Sequence, residues 1–508
     1  MTSILARTAH GAGWVIAWRM MTRLLGVCST LVLVRLLSPA DFGLVALATA
    51  FALALDVCLS IGVEDQIVRS ANPNRALYDT AFTLNLLKAL TVAILLVASA
   101  APAAEFFGDG RLRDVLLALA VSAALSGATN IGIAEFRRQL SFDKEFRLQL
   151  LPRLAGITVT ISIAWIFHSH WALVLGVLTN RFGIVVMSHW LHPYRQRLSL
   201  AAWRELSSVS VWSWAISVVA TIRDRADSFV IGRMLGPPAL GIYAVGVEVA
   251  ALPTTEMVDP ICRACMPGFA ETMRDSGQGG VATAYLRIIA LMALLTLPAG
   301  IGTSLIAGPI VALVFGQAWL EAVPVMALIA LGCTFSLAGN VSAALLHARA
   351  ALRGIWLITT AAAALRIALL LLLVPWLGLL GAACAIAGAL LLEHMTLVGG
   401  ALRLLALPPM AILRVIHRPV LAAAAMAAVL WGCGLGWAPA PGSFALAVPV
   451  LLQAIPLAMA SYVLILFSLW RIAGSPAGAE SDLLGLLQGF AMRLLLALRR
   501  SRLGAALR

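Results

Sequence analysis

The side chains that could do chemistry in this 508-residue chain are ionisable groups lying inside long apolar stretches. Arg19 and Arg23 are four positions apart, a spacing that puts both on one face of a helix. Lys88, Arg181, Arg223, Arg225, Arg287 and Arg366 interrupt further apolar runs, as do the acids Asp56, Asp224, Asp227, Glu248 and Glu393. Charge at membrane depth is expensive and ordinarily faces a water-filled cavity or a partner. Bases outnumber acids in this set, so the interior is expected to be net cationic. Guanidinium groups offer forked donors to phosphate, and the pattern suits an anion-receiving cavity. Two residues carry a competing reading. Arg223 and Asp227, spaced i,i+4, could neutralise one another, and Arg287, near the start of its run, reads as an interfacial side chain that snorkels. The sequence has no phosphate-binding loop, nucleophile elbow or metalloprotease motif, so neither an ATPase nor a hydrolase is expected, and no cofactor or metal.

The elements that position these groups must be membrane helices. Apolar residues make up 61% of the chain and charged residues 12%, whereas soluble domains carry about 25% charged residues. Pro419–Trp470 and Ile288–Leu320 contain no Asp, Glu, Lys or Arg at all, and about 20 such residues span a bilayer. Apolar runs and turn residues predict about fourteen spans: 12–34, 42–63, 81–103, 115–134, 150–168, 170–190, 207–230, 238–262, 284–306, 322–346, 354–375, 378–400, 415–436 and 443–470. The expected fold class is an all-α polytopic membrane protein.

Charge sets the orientation. Of the 36 Lys and Arg, only Arg35, Arg111, Arg113 and Arg233 fall in segments on one side of this arrangement, while most of the others lie on the opposite side. The positive-inside rule then puts both termini in the cytoplasm. The same rule accounts for the net charge of +13 without invoking nucleic acid. Segments on the outer side are too short to hold a catalytic domain. Beyond Trp470, Leu483, Leu484, Leu486, Leu487, Phe490, Leu494 and Leu498 recur near helical period beside Arg493, Arg499, Arg500 and Arg502, which predicts a basic amphipathic helix on the inner membrane face, held partly by anionic lipid.

An internal repeat organises the spans. Residues 33–44 read LVRLLSPADFGL and residues 231–242 read IGRMLGPPALGI, matching Arg35 to Arg233, Leu37 to Leu235, Pro39 to Pro237 and Gly43 to Gly241 at one constant offset. A second echo pairs EFFGDGRL (105–112) with LVFGQAWL (313–320). Each copy follows the corresponding span of its half, so the halves run in the same direction, an arrangement whose substrate site lies between the repeats. The expected domains are an N-terminal half, 1–200; a C-terminal half, 201–402; two additional spans, 403–472; and the basic tail, 473–508.

LVRLLSPADFGLVALATAF (33–51), DVCLSIGVEDQIVR (56–69), YDTAFTLNLLKAL (78–90), EFRRQLSFDKEF (135–146), HWALVLGVL (170–178), IRDRADSFVIGRMLGPPALGIYAV (222–245) and FGQAWLEAVPVMALIAL (315–331) resemble the polysaccharide transport family, the Wzx-like oligosaccharide flippases of the multidrug/oligosaccharidyl-lipid/polysaccharide exporter superfamily. The resemblance runs from about residue 10 to residue 400. It implies two six-helix lobes around a central cavity, plus two extra helices, working by alternating access in the cell inner membrane. It implies a cargo of undecaprenyl-diphosphate-linked oligosaccharide, moved for surface or exopolysaccharide biosynthesis and passed on to polysaccharide polymerase machinery, with the lipid tail left in the bilayer. An ion gradient would drive it, with Asp56, Asp224, Asp227, Glu248 and Glu393 as candidate coupling acids. Arg19, Arg23, Lys88, Arg181, Arg223, Arg225 and Arg366 are the candidate substrate-binding residues. A lipid II flippase and a drug/cation antiporter of the same superfamily are the alternatives within transport. An integral membrane polysaccharide polymerase or ligase is the alternative from another class.

Overall fold

Ser38 starts a helix with two reciprocal bonds. Its hydroxyl accepts the Asp41 N–H at 3.4 Å, and the Asp41 carboxylate accepts the Ser38 N–H at 3.1 Å, with Pro39 in the first turn. Comparable local signals recur along the chain. The computed structural model describes residues 21–60, 62–63, 67, 70, 73–139, 141–206, 211–441, 444–476 and 478–485. Helix α1 covers residues 21–36 and α2 Pro39–Cys58, followed by α3 (Arg75–Phe107) and α4 (Arg111–Gly127). A 3-10 turn at Ile131–Ile133 leads into the short α5 (Ala134–Arg138). Then come α6 (Phe142–Phe167), α7 (Trp171–Leu191), the short α8 (Trp203–Leu206) and α9 (Val211–Met234). The rest of the chain forms α10 (Gly236–Leu305), α11 (Ala307–Val314), α12 (Ala322–Ala348), α13 (Leu352–Leu405), α14 (Met410–Gly432) and α15 (Phe444–Ile472). Among the described residues there is no strand.

Among the described residues, nine helices are long and apolar enough to cross a membrane, or ten if the bent pair of α4 and 131–138 is one span. Leu87, Ile94 and Val97 on α3, Trp165, Ile166 and Phe167 on α6, and Leu452, Met459 and Leu464 on α15 are exposed. So much outward apolar surface would be a liability in water and is what lipid requires. The chain is a multi-pass membrane protein.

Two expected boundaries differ, and a third, between 354–375 and 378–400, coincides with a break in one long helix. The span predicted over 115–134 ends at Gly127, and the chain turns through 67° before 131–138. Asn130 makes the turn: its carbonyl oxygen accepts the Gly132 N–H at 2.9 Å and its amide donates to Tyr194 O at 2.8 Å. Residues 263–276, read as a loop from their charges, are helical, because α10 runs on to a break at Gly277. Cys265 and Phe269, with Val281 and Tyr285 past the break, bury one face against Val341 and Leu345. The spans 354–375 and 378–400 are the two arms of α13, broken at Gly378.

The described residues form two compact units. One holds the chain up to Val245 together with Ala363–Ala382; the other holds Gly246–Ala362 and the chain from Ala383 onward. In the first unit the two copies of the Arg-x-Leu-x-Pro-x-x-x-Gly stretch pack on each other reciprocally. A Cβ on Gly43 would lie 1.7 Å from Pro237 O, and one on Gly241 would lie 1.8 Å from Pro39 O. Glycine is required at both positions because backbone meets backbone.

Segment 192–202 of the same unit has no regular structure, so its N–H groups need side-chain acceptors. Helix α3 supplies them. The Arg197 N–H donates to Asp79 Oδ1 at 2.8 Å, the Ser199 N–H to Thr83 Oγ1 at 2.9 Å and the Ala202 N–H to Thr80 Oγ1 at 3.1 Å. The Tyr194 hydroxyl also donates to Asp79, at 2.8 Å. Burial and the neighbouring carboxylate push this phenol well above its ordinary range.

In the second unit, residues 479–485 are helical and docked. Ala479 is buried against Ala422, Ala423, Met426 and Tyr462. Glu480 pairs with Arg418 at 3.0 Å, and Asp482 pairs with Arg287. Arg287 is thus held by a carboxylate on the C-terminal segment rather than reaching out alone. The basic part of the tail, from Leu486 through Arg493, Arg499, Arg500 and Arg502, lies outside the described residues.

At the turn before α7, His170 Nδ1 lies 3.6 Å from Asp41 Oδ1. Burial is the main cause of a downward shift in the imidazole pKa; Asp41 opposes it and Arg111 adds to it. A histidine with a lowered folded-state pKa binds fewer protons folded than unfolded, so its contribution to stability is lost as pH falls through the ordinary value of 6.5. The thermal midpoint of the purified protein is expected to fall between pH 7.5 and pH 5.5, and to fall less in a His170→Gln variant; equal slopes would contradict this.

Candidate functional site

Polar residues from six helices of the first unit converge on one cavity of about 430 Å³. Thr49 and Asp56 stand two turns apart on α2. Asn85 and Lys88, three positions apart, share a face of α3, and Ser122 and Ser126, four apart, share a face of α4. Arg137 comes from α5, Gln149 from α6 and Arg181 from α7. The cavity therefore reaches from Arg181, midway along α7, to the short helix after the bend. It is this polar lining that lets Lys88 lie within α3, whose other faces carry exposed apolar side chains.

Charge in the cavity is unevenly satisfied. The Lys88 ammonium lies 2.8 Å from Asp56 Oδ1, with the side chains 21% and 44% exposed, so the pair is open to whatever enters. Arg137 Nε donates to Glu145 at 2.9 Å. The Arg181 guanidinium has no hydrogen-bond or ion-pair partner among the described residues and is half-buried. Such a group confers a standing preference for an anion. The side-chain amides of Asn85 and Gln149 also make no hydrogen bond among the described residues, and can serve hydroxyl or phosphate oxygens.

A second polar cluster of the same unit is paired internally. Arg366, on the first arm of α13, is 6% exposed and donates from Nη2 to Asp227 Oδ2 at 2.9 Å. The same carboxylate accepts the Tyr243 hydroxyl and the Ser228 N–H. Asp224 takes a two-point bond from Arg223 at 2.9 and 3.2 Å, and its Oδ1 lies 3.6 Å from Arg366 Nη1. The i,i+4 pairing of Arg223 with Asp227 is thus replaced, because Asp227 is committed to a partner far along the chain and Asp224 is the carboxylate left for Arg223.

The candidate residues are therefore distributed. Asp56, Lys88 and Arg181 meet in the cavity, while Arg223, Asp224, Asp227 and Arg366 meet in the second cluster, where Asp227 and Arg366 are buried and Asp224 is exposed. Arg225 is half-buried on α9 and Arg23 half-buried on α1; Glu248 is exposed on α10 and Glu393 is buried on α13. Arg19 lies outside the described residues. Sequence reasoning missed Asn85, Ser122, Ser126, Gln149 and Tyr243, all uncharged. The i,i+3 spacing of Asn85 to Lys88 and the i,i+4 spacing of Ser122 to Ser126 were the available signals.

Comparison with known proteins agrees with this architecture. Residues 32–324 match the family described as polysaccharide biosynthesis protein. The chain is similar to the lipopolysaccharide biosynthesis protein WzxC of Escherichia coli (strain K12), at 22% identity over 357 residues, covering 68% of this chain and 71% of that protein. It is similar to the succinoglycan biosynthesis transport protein ExoT of Rhizobium meliloti (strain 1021), at 24% identity over 326 residues, covering 63% and 65%. Its fold is similar to that of the lipid II flippase MurJ in an inward closed conformation, with a TM-score of 0.72 at 13% identity, covering 90% of this chain and 98% of that one.

Proposed function

From the premise that the chain belongs to the polysaccharide biosynthesis protein family, we propose that it is a flippase for an oligosaccharide carried on undecaprenyl diphosphate, moved from the cytoplasmic to the outer leaflet of the inner membrane. The observation that carries this reading is Arg181, without a partner among the described residues, lining a polar cavity beside Lys88 within a membrane-spanning unit. A diphosphate needs cationic donors out of bulk water. The sugars need hydroxyl and amide partners, of the kind that Asn85, Ser122, Ser126 and Gln149 offer. The names of WzxC and ExoT point to the same class of cargo.

In this reading Lys88 and Arg181 receive the phosphates, with Arg19, Arg23 and Arg225 as further cationic groups, while Arg223 and Arg366 serve by holding Asp224 and Asp227. About fourteen spans, as two parallel six-helix lobes (1–200 and 201–402) and two more spans (403–472), work by alternating access. Both termini and the tail from residue 473 face the cytoplasm. An ion gradient supplies the drive, with Asp56, Asp224, Asp227, Glu248 and Glu393 as the acids available for coupling. Delivered glycan is then taken up by polysaccharide polymerase machinery.

The test is to delete the protein and extract the lipids. Undecaprenyl-diphosphate-linked oligosaccharide is expected to accumulate on the cytoplasmic side, and an Arg181→Gln protein, present in the membrane at normal amount, is expected not to relieve it. Accumulation of the peptidoglycan precursor instead, or polymer export at the normal level, would overturn the assignment.

A further inference from the structure

Resting on the flippase reading, we infer that Asp56 is a built-in stand-in for the cargo's anion: it occupies Lys88 in the empty protein, is displaced by a phosphate, and takes up one proton as it leaves.

The charges of the cavity lead there. Its ionisable lining consists of Asp56, Lys88, Arg137 and Arg181, and Arg137 is already matched by Glu145 at 2.9 Å. Helix α4 contributes hydroxyls and α6 an amide to the same lining. On α9, which packs along α2, Asp224 and Asp227 are engaged by Arg223 and Arg366. Two cations and one carboxylate therefore set the balance. The site holds the Asp56–Lys88 pair at 2.8 Å and one cation, Arg181, without a partner among the described residues.

A diphosphate diester brings two negative charges. Lys88 and Arg181 neutralise two; an ionised Asp56 beside them would be a third anion with no further unpaired cation among the described lining residues. Like charges sharing one site favour proton uptake by one of them. The balanced step takes one proton from water onto the Asp56 carboxylate as Lys88 passes to the phosphate; no bond other than this O–H is made or broken. On release the order reverses, Asp56 returns its proton and reclaims Lys88. One proton would accompany each diphosphate, and the empty carrier would keep its lysine neutralised, which lowers the barrier to a return trip through the membrane.

The test uses the full-length protein in detergent and a water-soluble probe, farnesyl-diphospho-N-acetylglucosamine, titrated calorimetrically in two buffers of different ionisation enthalpy. About one proton should be taken up per probe bound. Asp56→Asn should bind the probe more tightly with no proton uptake, and Lys88→Gln should bind it at least tenfold more weakly. Proton uptake that survives in Asp56→Asn, or an Asp56→Asn that weakens binding as much as Lys88→Gln, would overturn the exchange. So would affinity that rises with sodium in place of proton uptake. Failure of the flippase reading looks different, since the unaltered protein then does not bind the probe at all.

Discussion

Replacing Arg366 by leucine is expected to remove most of the folded protein from the membrane. The substitution leaves Asp227, 5% exposed, without its cation and Asp224 with only Arg223. Breaking a buried pair from one side costs about 3–5 kcal/mol, a large share of the roughly 5–15 kcal/mol that holds a typical protein folded. Removing both charges is less severe, because no uncompensated ion remains. Arg366→Leu combined with Asp227→Asn should recover part of the loss, since the asparagine oxygen can still accept the Ser228 N–H while its NH2 group donates to the Tyr243 hydroxyl oxygen. The quantities to measure are the steady-state amount in membranes and the thermal midpoint in detergent. A single Arg366→Leu that melts within a few degrees of the unaltered protein would show that this cluster is not structural and would make Arg366 a cargo-binding group instead.

What could be read from the sequence was whatever lipid imposes. Apolar runs bounded by turns located most helices, since a spanning segment must be both long and unbroken. The interior charges stand out for the same reason, and Asp56, Lys88 and Arg181, which line one cavity, are all conspicuous in the sequence as charges within apolar runs. Pairing was illegible wherever the partner is remote. Asp227 looks matched to Arg223 one turn away, yet a guanidinium far along the chain, at Arg366, outcompetes it, and spacing alone carries no information about that. Residues 263–276 read as a loop because Arg263 and Arg274 resemble loop charges, while the apolar face made by Cys265 and Phe269 is narrow. The docked helix at 479–485 was obscured by its basic continuation: its fastening is the acidic pair Glu480 and Asp482, whose partners on α10 and α14 no local pattern reveals. The strap at 192–202 has no periodic signal at all, because its order comes from Asp79, Thr80 and Thr83 on another element.

The repeated stretch connects sequence to packing most directly, and a single methyl group tests it. Gly43 and Gly241 occupy equivalent positions in the two copies, and each lies over the backbone of the other copy's proline. At 1.7 and 1.8 Å from a carbonyl oxygen, an added Cβ cannot be absorbed by a rotamer change; the helices themselves must separate. Overpacking a core ordinarily costs about 1–3 kcal/mol, and the absence of any flexible neighbour puts Gly43→Ala and Gly241→Ala at or beyond the upper end of that range. Propensity acts in the other direction, since alanine within a helix is favoured over glycine by about 1 kcal/mol. Gly354, on α13 with open space around its Cβ position, reports that term alone, so Gly354→Ala should melt slightly higher while the other two melt well below the unaltered protein. Because the contact is reciprocal and both substitutions spread the same crossing, the double variant should be less than additive. Two independent, fully additive losses, or an alanine at either position that behaves like Gly354→Ala, would mean that the two copies do not meet in the membrane as they do here.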